Sequence, residues 1–308
     1  MAKQVLKRTE ILANGKVNLS LDVTGTEPNG FHSLRMIMRS LPIGDTVTVS
    51  SEMRGGALPK NVALPERLPV NVTCDARGVP AGRANIAWRA AEALIRSYPR
   101  ILALTEHVDI SIRKALPVGG GLGGSSADGA AVLKAMNEHF ELGLGVGELE
   151  KIGAGLGSDV PFMIRGGTAL AEGRGEKLTP LPDPELGFLL ICFPGYGMDT
   201  WEVYRRYDEI RIPEEARPDT EALVKNLLEG RRSDFVRGMR NVLEAPAIAL
   251  KSALGGLKTQ IERLGGENTV MCGSGSSFFS VFTAESAARR AAMQLENSGC
   301  ECTVCDLR

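Results

Sequence analysis

The sequence predicts an α+β protein of two domains built from antiparallel sheets and helices. The chain has 308 residues, which is above the about 250 to 300 residues at which a single hydrophobic core usually stops growing. Its strand-like segments alternate polar and apolar residues, as strands with one solvent-facing side do, and helix-like segments interleave with them. With 43% apolar residues and a net charge of -1, the chain has the composition of a folded protein.

The first half predicts strands that lead to a glycine cluster and then to a helix. The predicted strands are 16–23, 45–49 and 107–113, each of them an alternating segment. The predicted helices are 84–98, which is amphipathic and ends before Pro99, and about 125–139, which is rich in small residues. Between the last strand and the last helix lies the glycine cluster 119–124.

We predict a domain boundary after Gly167, which gives domains of residues 1–167 and 168–308. The second domain begins with a predicted hairpin at 168–178 and an apolar strand at 188–193. Its remaining predicted helices are near 219–229, 233–243, 246–264 and 285–298, and its remaining strands are near 268–272 and 277–283. Pro246 suits a first helical position, and Gly230 and Gly265 suit the C-terminal ends of helices.

Composition favours a small-molecule partner and a cytoplasmic location. The near balance of 36 basic and 37 acidic residues indicates neither nucleic acid nor an anionic membrane as a partner. The chain has no apolar run of about 18 residues, and its start lacks the apolar core of a signal peptide. We therefore expect the six cysteines to be reduced thiols. Residues 300–305 contain one C-x-x-C pair, but a closing strand is the preferred interpretation because a metal site needs further ligands.

The glycine cluster holds five glycines in six residues, 119–124, and it matches G-x-G-x-x-G. A dinucleotide fingerprint requires a buried strand that runs directly into the first glycine, whereas Pro117 intervenes here and the preceding strand alternates. A Walker A loop requires a final Gly-Lys-Ser or Gly-Lys-Thr, which is absent. Glycines leave the backbone N–H groups before the helix start without Cβ obstruction, which favours a phosphate-binding cradle at 117–128. Ser125 and Asp128 have capping-box spacing at this start. A glycine turn packed closely against another backbone stays open as the alternative.

The segment 117–128, Pro-Val-Gly-Gly-Gly-Leu-Gly-Gly-Ser-Ser-Ala-Asp, resembles the phosphate loop of the GHMP kinases, which include galactokinase, homoserine kinase and mevalonate kinase. Further motifs stand in the family's order at 13–19, 28–34, 157–162, 172–176 and 271–275. Gly-Phe-His at 30–32 and Glu-Gly-Arg-Gly-Glu at 172–176 resemble the branch that phosphorylates 4-diphosphocytidyl-2-C-methyl-D-erythritol. The resemblance covers about residues 11–283.

The resemblance implies a two-domain α+β fold with the active site between the domains. It implies ATP-dependent phosphorylation of the 2-hydroxyl of that CDP-linked alcohol, a step in the non-mevalonate route to isoprenoid precursors. Lys16 and Asp159 match the catalytic positions, and phosphoryl transfer requires such a pair to neutralise charge and accept a proton. Without the resemblance, Asp159 would be interpreted as a turn residue and Lys16 as a solvated strand residue.

For ATP, the resemblance implies that Lys114 lines the adenine end of the site. The other implied ATP-binding residues are Pro117, Gly119, Gly120, Gly121, Leu122, Gly123, Gly124, Ser125 and Ser126. Ser126 is a candidate for contact with Mg²⁺, and Asp128 is either a metal ligand or a capping residue.

For the alcohol substrate, the implied residues are Asn18, Phe31, His32, Thr200 and Tyr204. His32 matches a position that hydrogen-bonds cytosine, and Asn18 one near the erythritol portion. Phe31 replaces the usual tyrosine, which keeps a stacking face but loses a hydroxyl. The segment 194–204 also departs from the family pattern. A second glycine turn at 273–277 either closes on the active site or is simply a tight strand connection.

Three alternatives remain at this point. Another GHMP small-molecule kinase, of the homoserine or mevalonate type, would share the phosphate loop. A nicotinamide-dependent oxidoreductase would use the same glycines for a pyrophosphate. A non-catalytic nucleotide-binding module would not require both Lys16 and Asp159.

Overall fold

The computed structural model describes residues 5–28, 30–54 and 63–308. These residues form two compact units, each assembled from separate stretches of the chain. The first unit comprises the described residues of Met1–Gly15, Ile43–Leu116 and Gly124–Arg165, and the second comprises those of Lys16–Pro42, Pro117–Gly123 and Gly166–Arg308. Two long strands, β1 (Val5–Thr26) and β2 (His32–Met53), contribute residues to both units.

The first unit combines strands with a group of helices. Its further strands are β3 (Val70–Cys74) and β4 (Val108–Arg113), and its helices are α1 (Ile86–Ser97), α2 (Ile101–Leu104), α3 (Gly124–His139), α4 (Val146–Ala154) and α5 (Val160–Arg165), with a 3-10 turn at Gly82–Ala84. The strand order is β3-β4-β2. β4 is antiparallel to β2 and parallel to β3. Helix α1 packs on α3, and Trp88 Nε1 donates a hydrogen bond of 3.3 Å to the carbonyl of Val70 on β3.

Helix α1 forms where the apolar periodicity predicts it. Asn85 precedes it, and the Asn85 side chain accepts a hydrogen bond of 2.9 Å from the N–H of Ala87, which satisfies a free donor of the first turn. Six of its residues are buried: Ala87, Trp88, Ala90, Ala91, Leu94 and Ile95. Burial of this face against α3 stabilises the helix because apolar area leaves water.

The second unit combines further strands with six helices within the described residues. Its strands are β5 (Thr168–Gly173), β6 (Lys177–Leu181), β7 (Gly187–Phe193), β8 (Thr269–Met271), β9 (Phe278–Phe282) and β10 (Glu301–Leu307). Its helices are α6 (Thr200–Glu209), α7 (Thr220–Leu228), α8 (Arg232–Gly238), α9 (Glu244–Leu250), α10 (Ala253–Arg263) and α11 (Glu285–Glu296), with a 3-10 turn at Glu214–Ala216. Strand β5 pairs antiparallel with β2 and β6, and a four-stranded antiparallel sheet has the order β10-β7-β9-β8. Helix α11 packs on β7 and β10.

The prediction of an α+β fold with antiparallel-rich sheets is confirmed, and so is the C-terminal segment as a closing strand, β10, paired with β7. All six cysteines are free thiols. Gly230 and Gly265 follow α7 and α10 with positive φ angles of 68° and 94°, as predicted for C-terminal ends of helices. The boundary after Gly167 stays a prediction.

Two predicted helices are wrong in extent. The predicted helix 233–243 ends at Gly238, because residues 240–242 instead pair with β1: Leu21 N–H donates to the carbonyl of Arg240 at 2.9 Å, and Val242 N–H donates to the carbonyl of Leu21 at 3.0 Å. The predicted helix 246–264 is two helices, α9 and α10, interrupted where Lys251 adopts a non-helical backbone. Pro246 is the third residue of α9 rather than the first, which the first turn also tolerates.

Strands β1 and β2 are longer than predicted, at 22 residues each. They approach closely at Gly44, where a methyl group would lie 2.8 Å from the Cα of Asn14 and would overlap the carbonyl of Ala13. Helices α2, α4, α5 and α6 were not predicted; α2 and α5 have only 4 and 6 residues, too few to show a period. Among the described residues, no helix is both long and apolar enough to cross a bilayer.

Candidate functional site

The glycine loop, residues 117–123, is held by backbone hydrogen bonds to three other segments of the second unit. The carbonyl of Leu122 accepts a hydrogen bond of 2.9 Å from the N–H of Lys16 on β1. The carbonyl of Gly120 accepts from the N–H of Ser277 at 3.2 Å, and that of Gly119 accepts from the N–H of Met198 at 3.3 Å. The loop is therefore a fixed element and not a flexible turn.

Glycine is required in this loop for two physical reasons. Gly119, Gly121 and Gly123 have φ angles of 74°, 80° and 73°, a region that side chains rarely adopt. In addition, a methyl group on Gly121 would overlap the carbonyl oxygen of Cys272 and lie 2.9 Å from its carbon. Close packing against another backbone, the alternative left open for this cluster, is therefore present at Gly121.

The second glycine turn, residues 273–277, lies against the glycine loop. A methyl group on Gly273 would lie 3.1 Å from the carbonyl oxygen of Gly121, 3.4 Å from Lys16 Nζ and 3.5 Å from Asn18 Oδ1. The turn connects β8 and β9, and its Gly273 lies close to the Lys16 ammonium. A role of the turn in closing the active site stays a prediction. The two turns and β1 meet within the second unit.

Lys16 is a buried and oriented cation. It is 5% exposed, and its Nζ donates a hydrogen bond of 2.7 Å to Oδ1 of Asn18, which is 1% exposed. The Asn18 amide donates in turn to Sδ of Met36 on β2 at 3.1 Å. A solvated strand lysine, the plain alternative for Lys16, does not describe this environment. A buried ammonium beside glycine backbone is suited to an anionic ligand, because burial weakens the solvent screening of its charge.

Three ionisable groups of the first unit form a cluster at the start of α3. Lys114 Nζ donates to Asp45 and, at 2.9 Å, to Oδ2 of Asp128. Asp45 Oδ1 also accepts from the N–H groups of Ala115 and Leu116, at 2.6 and 2.8 Å. Asp45 and Asp128 are 0% and 3% exposed. The Lys114 ammonium is thus already paired with two carboxylates.

The cluster shifts the pKa values of its members. Burial raises the pKa of Asp128 to about 7, although the nearby Lys114 charge acts in the opposite direction. Burial alone would lower the pKa of Lys114, but Asp128 and Asp45 outweigh it, so that pKa is raised. The second Asp128 oxygen, Oδ1, has no hydrogen-bond partner among the described residues. The capping-box prediction for Asp128 is wrong, because its carboxylate binds Lys114 instead.

Asp159 directly precedes α5 and is half-buried. Its carbonyl accepts a hydrogen bond of 3.0 Å from the N–H of Met163, so the residue also occupies a helix-start position. A methyl group on Gly157 would lie 3.9 Å from Oγ of Ser126, so the turn before Asp159 lies beside the start of α3. Gly124 is the first residue of α3, followed by Ser125, which is exposed, and by Ser126, which is half-buried.

Two of the residues predicted to bind the cytidine portion, His32 and Tyr204, contact each other in the second unit. The ring of His32 lies 4.8 Å from that of Tyr204 at an interplanar angle of 31°, and its Nε2 lies 2.8 Å from Oδ1 of Asp208. Phe31 is 55% exposed, and the Arg174 guanidinium lies 5.0 Å from its ring centroid. An exposed aromatic ring such as that of Phe31 is suited to stacking on a planar base.

Thr200 joins the start of α6 to the second glycine turn. Its Oγ1 lies 2.8 Å from Oγ of Ser274. Asp199 caps α6, because its Oδ1 accepts from the N–H of Trp201 at 2.8 Å.

Sequence reasoning missed Ser274, Asp45 and Asp208 as parts of these clusters. Asp208 alone had a signal, because it follows Tyr204 by four residues and one helical turn brings both to one face.

Comparison with known proteins places this geometry in a family. Residues 85–167 match the description "GHMP kinases N terminal domain", and residues 223–300 match "GHMP kinases C terminal". A 4-diphosphocytidyl-2-C-methyl-D-erythritol kinase of Acetivibrio thermocellus is 38% identical over 97% of this chain and 99% of that protein. The chain belongs to the GHMP kinase family. A second relative of the same name, from Geobacillus kaustophilus, is 35% identical, and the match covers 92% of this GHMP kinase and 91% of the relative.

Solved structures agree with this assignment. The crystal structure of a 4-(cytidine 5'-diphospho)-2C-methyl-D-erythritol kinase is 30% identical to this GHMP kinase, with a TM-score of 0.74 and coverage of 96% and 98% of the two chains. A homoserine kinase from Cytophaga hutchinsonii has a TM-score of 0.71 at 18% identity, over 100% and 97% of the chains, and it supports the fold alone. The chain is therefore a small-molecule kinase, which decides against the oxidoreductase alternative.

Proposed function

We propose that this kinase transfers the γ-phosphoryl group of ATP to the 2-hydroxyl of 4-diphosphocytidyl-2-C-methyl-D-erythritol, a step in the non-mevalonate route to isoprenoid precursors. The observation that carries the proposal is the buried Lys16 ammonium, which is oriented by Asn18. It lies close to the second glycine turn, because a methyl group added to Gly273 would be 3.4 Å from Lys16 Nζ. The names of the relatives supply the alcohol, and the grouping of His32 with Tyr204 supports a base-bearing substrate.

Lys16 and Asp159 are proposed as the catalytic residues. Phosphoryl transfer requires the acceptor oxygen to be placed in line and the negative charge on the phosphate oxygens to be neutralised. Asp159 would accept the proton of the hydroxyl as it attacks, and Lys16 would stabilise the charge on the transferred group. Because Asn18 already orients the Lys16 ammonium, little reorganisation would be needed during the reaction.

The ATP site is proposed to comprise the glycine loop together with Gly124, Ser125 and Ser126. The glycines that adopt positive φ angles allow backbone N–H groups to approach phosphate closely. Lys114 is proposed to line the adenine end through its backbone and aliphatic stem, because its ammonium is bound to Asp45 and Asp128. The active site is proposed to lie between the two predicted domains, 1–167 and 168–308.

Mg²⁺ is proposed as the metal that accompanies ATP. Within the described residues, no group of three or more His, Cys, Asp or Glu side chains is arranged to hold a metal ion. Mg²⁺ is usually bound through substrate phosphates, waters and one or two protein oxygens, so a single serine hydroxyl at the start of α3 is a suitable protein contact. Ser126 is the proposed protein contact. When bound, the metal would neutralise negative charge on the phosphates.

The substrate residues Asn18, Phe31, His32, Thr200 and Tyr204 remain proposals. Phe31 would supply one stacking face for the base and Tyr204 a second, next to the ring of His32. A cytoplasmic location, expected from composition, also remains a prediction.

An ADP-release assay with three alcohols tests the function. Turnover with the CDP-linked methylerythritol, and at least 100-fold lower kcat/KM with homoserine and mevalonate, is the expected result. Preferred turnover of homoserine or mevalonate would instead favour another GHMP activity. The departures at Phe31 and in segment 194–204 make this comparison necessary.

A further inference from the structure

His32 has a carboxylate partner that constrains the chemistry of its ring. Its Nε2 lies 2.8 Å from Oδ1 of Asp208 on α6. A neutral imidazole carries a hydrogen on one nitrogen and an acceptor lone pair on the other, whereas an ionised carboxylate can only accept. The hydrogen must therefore lie on Nε2, which donates to Asp208. In the neutral ring, Nδ1 is then a hydrogen-bond acceptor.

Neighbouring rings hold His32 in this orientation. Its side chain is 10% exposed. The centroid of its ring lies 4.8 Å from that of Tyr204 and 6.0 Å from that of Tyr207, and the Tyr207 ring is at an interplanar angle of 89°. The imidazole therefore has little freedom to turn away from Asp208. All of these groups lie within the second unit.

Helix α6, which carries Asp208, is itself tied to β1. Arg217 donates a hydrogen bond of 3.0 Å to the hydroxyl oxygen of Tyr207. The same guanidinium donates to Oδ1 of Asp22 at 2.6 Å and to the carbonyl of Val23 at 3.1 Å. Asp208 is 52% exposed but belongs to a helix that these contacts position.

We propose that Asp208 fixes the Nε2–H tautomer of His32 and thereby makes the base site prefer cytosine over uracil. Cytosine presents an exocyclic amino group, a donor that an Nδ1 acceptor can bind. Uracil presents a carbonyl oxygen at the same position, which would face the Nδ1 lone pair and leave both acceptors unsatisfied. Asp208 is a positioning residue, because it acts through His32. The inference rests on the proposed function, which places His32 against the base.

The test compares Asp208→Asn with wild type and with Glu209→Gln. An asparagine side chain can either donate to or accept from Nε2, so the ring is no longer held in one tautomer. Glu209 is the adjacent carboxylate, and its Oε2 pairs with Arg206 at 2.9 Å. Both variants change one carboxylate to an amide on the same helix.

The readouts are kcat/KM for the CDP-linked and UDP-linked alcohols, and the affinities for CMP and UMP measured by calorimetry without ATP. We expect Asp208→Asn to reduce the cytosine preference by about ten-fold, the effect of one hydrogen bond. The KM for ATP should not change, and Glu209→Gln should behave as wild type. Asp208→Glu should restore at least part of the preference, because it restores an acceptor-only partner.

The outcomes separate this inference from the proposed function. If wild type prefers the CDP-linked alcohol and Asp208→Asn keeps the full preference, the tautomer inference is wrong while the function stands. If Asp208→Asn weakens CMP and UMP binding equally, Asp208 has only a structural role and the inference is again wrong. If wild type phosphorylates neither alcohol but binds CMP more tightly than UMP, the proposed function fails and the calorimetry still decides the inference.

Discussion

Gly121 is the position where the glycine loop tolerates a side chain least. Its φ angle is 80°, and a methyl group there would overlap the carbonyl oxygen of Cys272. Gly78 is a matched control, because its φ angle is 81° and a methyl group there would have nothing within 4 Å. The substitutions Gly121→Ala and Gly78→Ala therefore carry the same backbone strain and differ in the overlap.

The strain costs about 1 to 2 kcal/mol for either alanine. Overlap with a rigid backbone oxygen adds about 1 to 3 kcal/mol for Gly121→Ala, or moves the loop away from Cys272. A displacement of about 1 Å in a site that positions phosphate lowers turnover by about 100-fold. We expect Gly78→Ala to retain wild-type kinetics.

Urea unfolding measures the free energy of unfolding of both variants, and steady-state assays measure kcat and the KM for ATP. Equal losses of stability with unchanged kinetics in both variants would refute the packing argument. A stability loss specific to Gly121→Ala without a kinetic change would show that the loop does not contribute to ATP use.

Three further predictions address the catalytic pair and a buried histidine. Asp159→Asn should lower kcat by about 10² to 10⁴, as the loss of a general base does, while calorimetry shows ATP binding retained; unchanged turnover would contradict the assignment. Lys16→Gln should lower kcat by about 10² to 10³ through loss of an oriented charge, and full activity in a folded variant would exclude that role. His139 is fully buried between the hydroxyls of Thr9 and Ser51, at 3.0 and 2.7 Å, and burial lowers its pKa to about 4. Because the pKa of His139 is lower in the folded state, the free energy of unfolding should fall by about 3 kcal/mol as the pH drops from about 6.5 to about 4. Unfolding curves measured across this pH range should lose that dependence in His139→Gln. An unaltered pH slope in the variant would contradict the assignment to His139.

Elements with strong local signals were predictable from the sequence. The period of α1 and the glycines after α7 and α10 depend on neighbours within a few residues. The capping role of Asn85 was not predicted, since the predicted helix began one residue earlier. The end of α8 was not predictable in this way. Residues 240–242 leave the helix to bond to Leu21, which is more than 200 positions away, and no local pattern encodes that contact.

The same distinction between local patterns and distant contacts applies to the candidate site. The resemblance gave the glycine loop, Lys16, Asp159 and His32 as site residues because each lies in a short motif, and their roles stay predictions. The partners of these groups were not identified. Asp208 is 176 residues from His32, and Asp45 is 69 residues from Lys114.

The sequence by itself determined which backbone segments carry no side chains and the family that the chain belongs to, and it predicted which residues carry charge to a phosphate. Only the tertiary structure decided that Gly273 of the second glycine turn lies close to Lys16, that Lys114 is held by two carboxylates, and that His32 Nε2 lies beside Asp208. The physical reason is the separation along the chain between the residues that interact. Backbone preference and periodicity act over a few residues, whereas hydrogen bonds and ion pairs between distant residues depend on strand pairing and helix packing.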